Sequence, residues 1–96
     1  MERRETQRAD GVVAKFLRAS GLETPYLQYK LVQAWSTVVD ETTARATQAL
    51  EVREQSLWVR VEIPALRIQL TMMRAQLVQR LNATVGSILI YDIKFI

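Results

Sequence analysis

The chain has 96 residues, and 49% of them are hydrophobic, so it can bury one core but is too short for two ordinary domains. It contains no cysteine and no histidine, which excludes disulfides, thiolate or imidazole catalysis, and metal sites built from these ligands. We therefore expect no metal and no cofactor. Thirteen basic and ten acidic residues leave a net charge of +3, which by itself only weakly favours a nucleic-acid partner.

The amino-terminal segment is charged, and no apolar run in the chain is long enough to span a bilayer. Together with the lack of cysteine, these features predict a cytoplasmic protein without a membrane segment. Residues 1–8 are predicted to form a frayed lead, and residues 9–96 to form a single α+β domain.

Two helices are predicted in the first half of the chain. Apolar positions between Gln7 and Ser20 follow the helical period, and Gly21 is the predicted stop. In the second helix, Thr24 can act as the cap and Pro25 fits the first turn. Its predicted buried stripe is Leu27, Leu31, Ala34, Trp35 and Val38. Residues 42–47 fit either a continuation of this helix or a separate short turn.

Alternation of apolar and polar residues then predicts two strands joined as a hairpin. Leu50 and Val52 mark the buried face of the first strand, and residues 57–63 alternate as the second. The connection over residues 54–56 lacks the Asn-Gly or Asp-Gly pair typical of tight hairpins, so the alternation alone carries this prediction. Pro64 ends the second strand.

A long helix and a last strand complete the chain. The apolar spacing predicts one helix of about five turns, closed by Asn82 and Gly86. Its stripe is Leu66, Leu70, Met73, Leu77 and Leu81, and the strand that follows alternates at Leu89, Tyr91, Ile93 and Phe95. The order helix-helix-strand-strand-helix-strand predicts a two-layer α+β sandwich with helices on one face of a three-stranded sheet. The other face is then open or filled by a partner.

A candidate nucleic-acid surface lies on that second face. Trp58 and Arg60 alternate with the buried positions of their strand, and hairpin pairing would bring Arg53 beside them. An exposed tryptophan beside arginines can stack a base and hold its phosphate. Alternatively, the amino-terminal segment covers Trp58, or Trp58 lies over Arg60 in a cation–π contact. We favour the packed alternatives, because a large aromatic side chain in a small domain is more often packed than displayed.

The long helix adds two further candidate surfaces. No Asp or Glu occurs from Ile63 to Tyr91, and Arg67 and Arg74 are aligned along one flank of the stripe. They are either a track for phosphates or solvated residues whose methylenes cover the core, and we favour the second. Ile68, Met72 and Ala75 form a second apolar side, which is either packed against another helix, as we expect, or offered to a partner.

The spacing of these residues, taken together, resembles the DciA-like family of bacteria over about residues 12–95. The resemblance is carried by Trp35, Val38, Val39, Leu57, Val59, Val61, Ala65, Leu66, Arg67, Leu70, Met72, Arg74, Leu77, Leu81, Asn82, Gly86, Asp92, Ile93 and Phe95. It implies a fold similar to a K-homology domain and a role in DNA replication as a loader or helper of the replicative helicase. K-homology domains grip nucleic acid through a Gly-x-x-Gly loop, and Gly11, Gly21 and Gly86 do not have that spacing.

The sequence therefore predicts a non-enzymatic adaptor that associates with nucleic acid. There is no phosphate loop and no nucleophile–base spacing, so helicase loading would proceed without ATP hydrolysis by this chain. One surface is predicted to dock on the replicative helicase while another holds single-stranded DNA through Arg53, Trp58, Arg60, Arg67 and Arg74. The alternative is a protein–protein interaction module, a homodimer or a partner-binding domain, that uses Ile68 and Met72 or an open strand edge.

Overall fold

A computed structural model describes the backbone of residues 2–96 and the side chains of residues 11–96. The predicted lead over residues 1–8 therefore lies outside the fully described residues. The elements in chain order are α1 (Glu2–Ser20), α2 (Glu23–Val38), α3 (Glu41–Ala46), β1 (Thr47–Arg53), β2 (Ser56–Val61), α4 (Pro64–Met72), α5 (Arg74–Val85) and β3 (Asp92–Phe95). This order confirms the predicted α+β class.

The first two helices meet at a glycine, as predicted. Gly21 has φ +74°, a left-handed conformation that L side chains avoid, and the next N–H, that of Leu22, donates to Leu17 O at 2.8 Å. The predicted cap Thr24 is wrong, because α2 already begins at Glu23 and Leu22 occupies the cap position without a side-chain bond. Pro25 still lies in the first turn, where a missing N–H costs nothing.

The sequence left two alternatives for residues 42–47, and most of this segment belongs to a separate short helix, α3 over Glu41–Ala46. The Asp40 carboxylate caps it by accepting the N–H of Thr43 at 2.7 Å. At its other end, Thr47 Oγ1 donates to Thr43 O at 2.7 Å and accepts the indole N–H of Trp35 at 2.8 Å. One hydroxyl group thereby links α2, α3 and β1.

The sheet has the strand order β1-β2-β3, in which β1 and β2 are antiparallel and β2 and β3 are parallel. Glu54 and Gln55 form the hairpin turn with φ values of 54° and 62°, the two positive angles that a two-residue hairpin of the tightest type requires. The prediction that Leu50 lies on the buried face is wrong. A register shift between Ala49 and Glu51 places Leu50 in a bulge, so that Ala49 and Val52 pack on the core instead.

Helices α2, α4 and α5 pack against one face of the sheet. Their buried residues form a single core with alternate strand positions: Leu31, Ala34, Trp35, Val38, Leu57, Val59, Val61, Leu70, Leu77, Leu81, Ile90 and Ile93. The predicted stripe of the long helix is thus confirmed, with Leu66 and Met73 packed at the margin of the core. The predicted stripe of α2 is confirmed except for Leu27, which is only half-buried and lies outside the core. Covering one face leaves the other face of β2, with Trp58 and Arg60, outside the core; we call it the open face.

The predicted single long helix is wrong in one respect, since it is broken at Met73 into α4 and α5. Met73 has ψ near 5°, and its N–H donates to Leu70 O at 3.0 Å, a tighter turn than the α-helix makes. The Thr71 hydroxyl donates to Arg67 O at 2.7 Å, a contact that competes with the helical bond and bends helices. The two pieces still form the connection between parallel strands β2 and β3.

The segment between α5 and β3 departs from the predicted alternation. Ile90 is fully buried whereas Tyr91 is exposed, so Tyr91 does not belong to the buried set with Ile93. Asn82 fixes this segment: its Oδ1 accepts the N–H groups of Leu89 and Ile90 at 3.1 Å each, and its Nδ2 donates to Ile90 O at 2.9 Å. Asn82 therefore acts as a clamp on the loop as well as marking the end of the helix.

Candidate nucleic-acid interface

The open face is organised by the two neighbours of Trp58 in the sheet. Trp58 lies opposite Glu51 of β1 and beside Lys94 of β3, and cross-strand partners point to the same face. One step along the strand, Arg60 lies opposite Gln48. The sheet thus brings one half-buried aromatic side chain, Trp58, and charged side chains of all three strands onto one surface.

Trp58 is packed by a cation, but not by the one expected. The guanidinium of Arg53 lies 4.4 Å from the centroid of the indole ring, a cation–π contact, and Arg53 Nη1 is 3.5 Å from a carboxylate oxygen of Glu51. The sequence had suggested Arg60 for this contact. Arg60 is exposed and makes no ion pair with the residues from 11 to 96. The guanidinium group of Arg53 therefore lies over one face of the indole.

Arg67 is not the solvated edge residue that we favoured. One of its terminal nitrogens donates to Val61 O at the end of β2, and its Nε is buried without a hydrogen-bond partner in the described part of the chain. The indole Nε1 of Trp58 is also buried and unpartnered there. Arg67 is therefore anchored to the sheet and positioned beside it.

Arg74 forms an ion pair with Asp92, and Asp92 also pairs with Lys94 of β3. Arg74 Nε lies 3.2 Å from Asp92 Oδ1, while Lys94 Nζ lies 3.1 Å from Asp92 Oδ2. Burial raises the pKa of Asp92, but the hydrogen bonds from Lys94 and from the Ile93 N–H, with the charges of Arg74 and Lys94, outweigh that effect and leave the pKa below its usual value. Asp92 is therefore ionised and shared by two cations.

A shallow cavity of ≈ 290 Å³ beside β3 brings most of these residues together. Its lining includes Trp58, Arg67, Thr71, Arg74 and Lys94. Of the five predicted residues, three thus meet at one cavity; Arg53 joins them through Trp58, and Arg60 lines a separate depression near β1. Sequence reasoning missed Lys94, because its place beside Trp58 depends on the parallel pairing of β2 and β3, which no local pattern indicates.

The second apolar side of α4 is uncovered. Ile68 is 65% exposed, Met72 is 83% exposed and Ala75, at the start of α5, is also exposed, so the expectation that another helix packs against them is wrong. Large exposed apolar side chains one turn apart are a feature of interaction surfaces. This surface lies on the side of α4 away from the core.

The described residues form neither a cluster of metal ligands nor a membrane-spanning helix. No group of three or more carboxylate, histidine or cysteine side chains there comes together as metal ligands. Among the described helices, none combines the length and the apolar character needed to cross a bilayer.

Comparison with known proteins identifies the family. A family model described as Dna[CI] antecedent, DciA, matches residues 8–95. No curated protein matches the chain. The family is related to loaders of the replicative helicase in DNA replication and is a family of helpers rather than of enzymes. The match covers nearly the whole sequence, and the chain therefore belongs to the DciA family.

Proposed function

We propose that this chain is a nucleic-acid-associated adaptor that helps to load the replicative helicase in the bacterial cytoplasm, without catalysis of its own. The observation that carries the nucleic-acid part is the cation–π contact of Arg53 with Trp58, at 4.4 Å, on the open face. Arginine and tryptophan side chains can both stack on a base, and base stacking of this kind does not depend on sequence. Family membership supports the helicase part.

The surrounding cations complete the platform. Arg67 of α4 and Arg74 of α5 line the same cavity as Trp58, and Arg60 extends the positive charge along β2. Arginine side chains hold phosphates through two parallel hydrogen bonds, so this arrangement suits a single strand whose bases are splayed out. A duplex would have to open before its bases reached the indole.

Anisotropy of a fluorescein-labelled oligothymidylate tests this function. The wild-type chain is expected to bind with a dissociation constant that rises steeply with salt concentration. Trp58→Leu is expected to weaken binding about tenfold or more, because each stacked base is worth about 1–3 kcal/mol. Tyr29→Leu, at an aromatic residue of α2 that is 63% exposed, is the matched control and should bind as wild type. Binding that ignores both salt and Trp58→Leu would contradict the proposal.

A second candidate function is favoured by the uncovered side of α4. In a purely protein-binding module, Ile68 and Met72 would dock on the replicative helicase or on a second copy of the chain, and no nucleic acid would be bound. Their exposures of 65% and 83% are the observation that favours this function. A chain that binds nucleic acid at the cavity beside β3 would still present Ile68 and Met72 to a partner, because these residues do not line that cavity.

A pull-down with the purified replicative helicase, with and without nuclease, separates the two. Ile68→Asp with Met72→Asp is expected to abolish nuclease-resistant capture, while light scattering reports any change of oligomeric state. Ile88→Asp changes another exposed apolar residue, at 73% exposure, and should leave capture intact. If the helicase is still captured after the double substitution, Ile68 and Met72 do not form the docking surface.

A further inference from the structure

The open face meets the β3 edge of the sheet at a group of cations that share one carboxylate. Arg74 and Lys94 each contact a different oxygen of Asp92, at 3.2 Å and 3.1 Å. Arg67 lines the same cavity, anchored by the hydrogen bond to Val61 O, and its buried Nε has no partner among residues 11–96. The side chains at this edge thus carry three positive charges and one negative charge.

Asp92 bridges its two cations as a phosphate group would. A phosphodiester also presents two equivalent oxygens, one to each cation, and arginine binds either anion in the same way. Ion pairs on the surface are weak. The Arg74 and Lys94 side chains are 47% and 49% exposed, so an anion from solution can reach both.

We propose that Arg74 and Lys94, with Arg67 beside them, form a binding site for a phosphate group, and that Asp92 occupies this site until the phosphate displaces it. Asp92 thereby attenuates the affinity of the site. Its Oδ1 also accepts the N–H of Ile93 at 2.9 Å, which keeps the carboxylate next to the cations that it blocks. The inference rests on the proposed function only for the source of the phosphate, the backbone of a single strand; free phosphate is the other source.

If phosphate displaces Asp92, neutralising Asp92 should tighten oligonucleotide binding, whereas neutralising Arg74 or Lys94 should weaken it. With the labelled oligothymidylate, Asp92→Asn should lower the dissociation constant about two- to fivefold, because the competing ion pair is lost while the amide oxygen still accepts the Ile93 N–H. Arg74→Gln should weaken binding and reduce the salt slope by about one. Lys94→Gln should act in the same direction as Arg74→Gln.

Matched controls come from a different cavity, which is lined by Asp40 and Arg80. Asp40→Asn is the control for Asp92→Asn; it keeps a side-chain oxygen for the cap of α3 and should not tighten binding. Arg80→Gln is the control for Arg74→Gln; it removes one charge from α5 and should not weaken binding to the same extent. Thermal unfolding of every variant verifies that it is folded. An Asp92→Asn protein that is folded and binds no more tightly than wild type would overturn the inference while leaving the proposed function in place.

Inorganic phosphate separates the two sources. A phosphate titration is followed by the side-chain N–H resonances of the arginines. The Arg74 resonance should shift in the wild type, and it should shift at a lower phosphate concentration in Asp92→Asn. If these shifts occur but no oligothymidylate binds, the site takes free phosphate, the inference holds, and the proposed function fails. If the oligothymidylate binds but neither the shifts nor the opposite effects of neutralising Asp92 and Arg74 appear, the function holds and the inference fails.

Discussion

At the scale of single residues, the two tryptophans show how the same side chain serves two purposes. Trp35 is 2% exposed, its ring centroid lies 6.4 Å from that of Phe95, and its indole N–H is satisfied by Thr47. Trp58 lies on the opposite side of the sheet under a cation, and its N–H has no partner in the described residues. Only the second has the surroundings of a binding residue.

Asn82 is the residue whose loss should affect stability most clearly. Asn82→Ala removes three hydrogen bonds to the backbone of Leu89 and Ile90 and leaves those groups unsatisfied beside the core. We expect a decrease of about 2–3 kcal/mol in the free energy of unfolding, measured by urea denaturation. Gln79→Ala, at an exposed position on the same helix, is the control and should change stability little. An equally small effect for Asn82→Ala would mean that the clamp does not hold the loop.

Asp92 should make stability depend on pH in a defined direction. Its pKa is lowered in the folded chain, so the unfolded chain binds the proton first as the pH falls. The stability that Asp92 contributes is therefore present above its ordinary pKa and is lost as the pH falls through the lower, folded value. Urea unfolding across the acid range should show a shallower loss in Asp92→Asn than in wild type. Parallel pH profiles for the two proteins would argue against the ion pairs at this carboxylate.

At the scale of elements, the hairpin turn offers a stabilising substitution. Gln55 holds a left-handed conformation at φ 62° that glycine adopts without strain, and its carbonyl oxygen accepts the N–H of Tyr91. Gln55→Gly should raise the free energy of unfolding by up to about 1 kcal/mol, as measured by thermal or urea unfolding. The reverse change at the end of α5, Gly86→Ala, where φ is +75°, should lower it by about 1 kcal/mol. If both substitutions changed the free energy of unfolding in the same direction, the left-handed conformations at these two positions would be contradicted.

The elements themselves were largely predictable because each carries its own period. The stripes ending in Val38 and Leu81, and the alternation of Leu57, Val59 and Val61, identified the core directly. The bulge at Leu50 was not predictable, since it depends on the register between two strands rather than on local pattern. The break at Met73 was missed because the apolar spacing continues through it without interruption.

The candidate site was predictable to a similar extent. Arg53, Trp58 and Arg60 followed from alternation in one hairpin. The contributions of Lys94 and Asp92 depend on the parallel pairing of β3 with β2, and the exposure of Met72 depends on which helices pack together. Both are tertiary facts that a single sequence does not encode locally.

At the scale of the whole molecule, α4 borders both proposed surfaces. Arg67 and Thr71 line the cavity beside β3, while Ile68 and Met72 are exposed outside it on the same helix. A partner docked on α4 would therefore lie next to a strand held at the cavity. The same short helix would then set the distance between helicase and nucleic acid, which is what an adaptor without catalytic chemistry has to provide.

If nucleic acid binds the open face, the two indole N–H resonances report it within one experiment. On titration with single-stranded oligothymidylate, the Trp58 resonance should move progressively while that of Trp35, in the core behind the sheet, stays in place. The Trp58 shift should be weaker at high salt. A bound oligonucleotide that moves neither resonance, or Trp35 alone, would contradict the account.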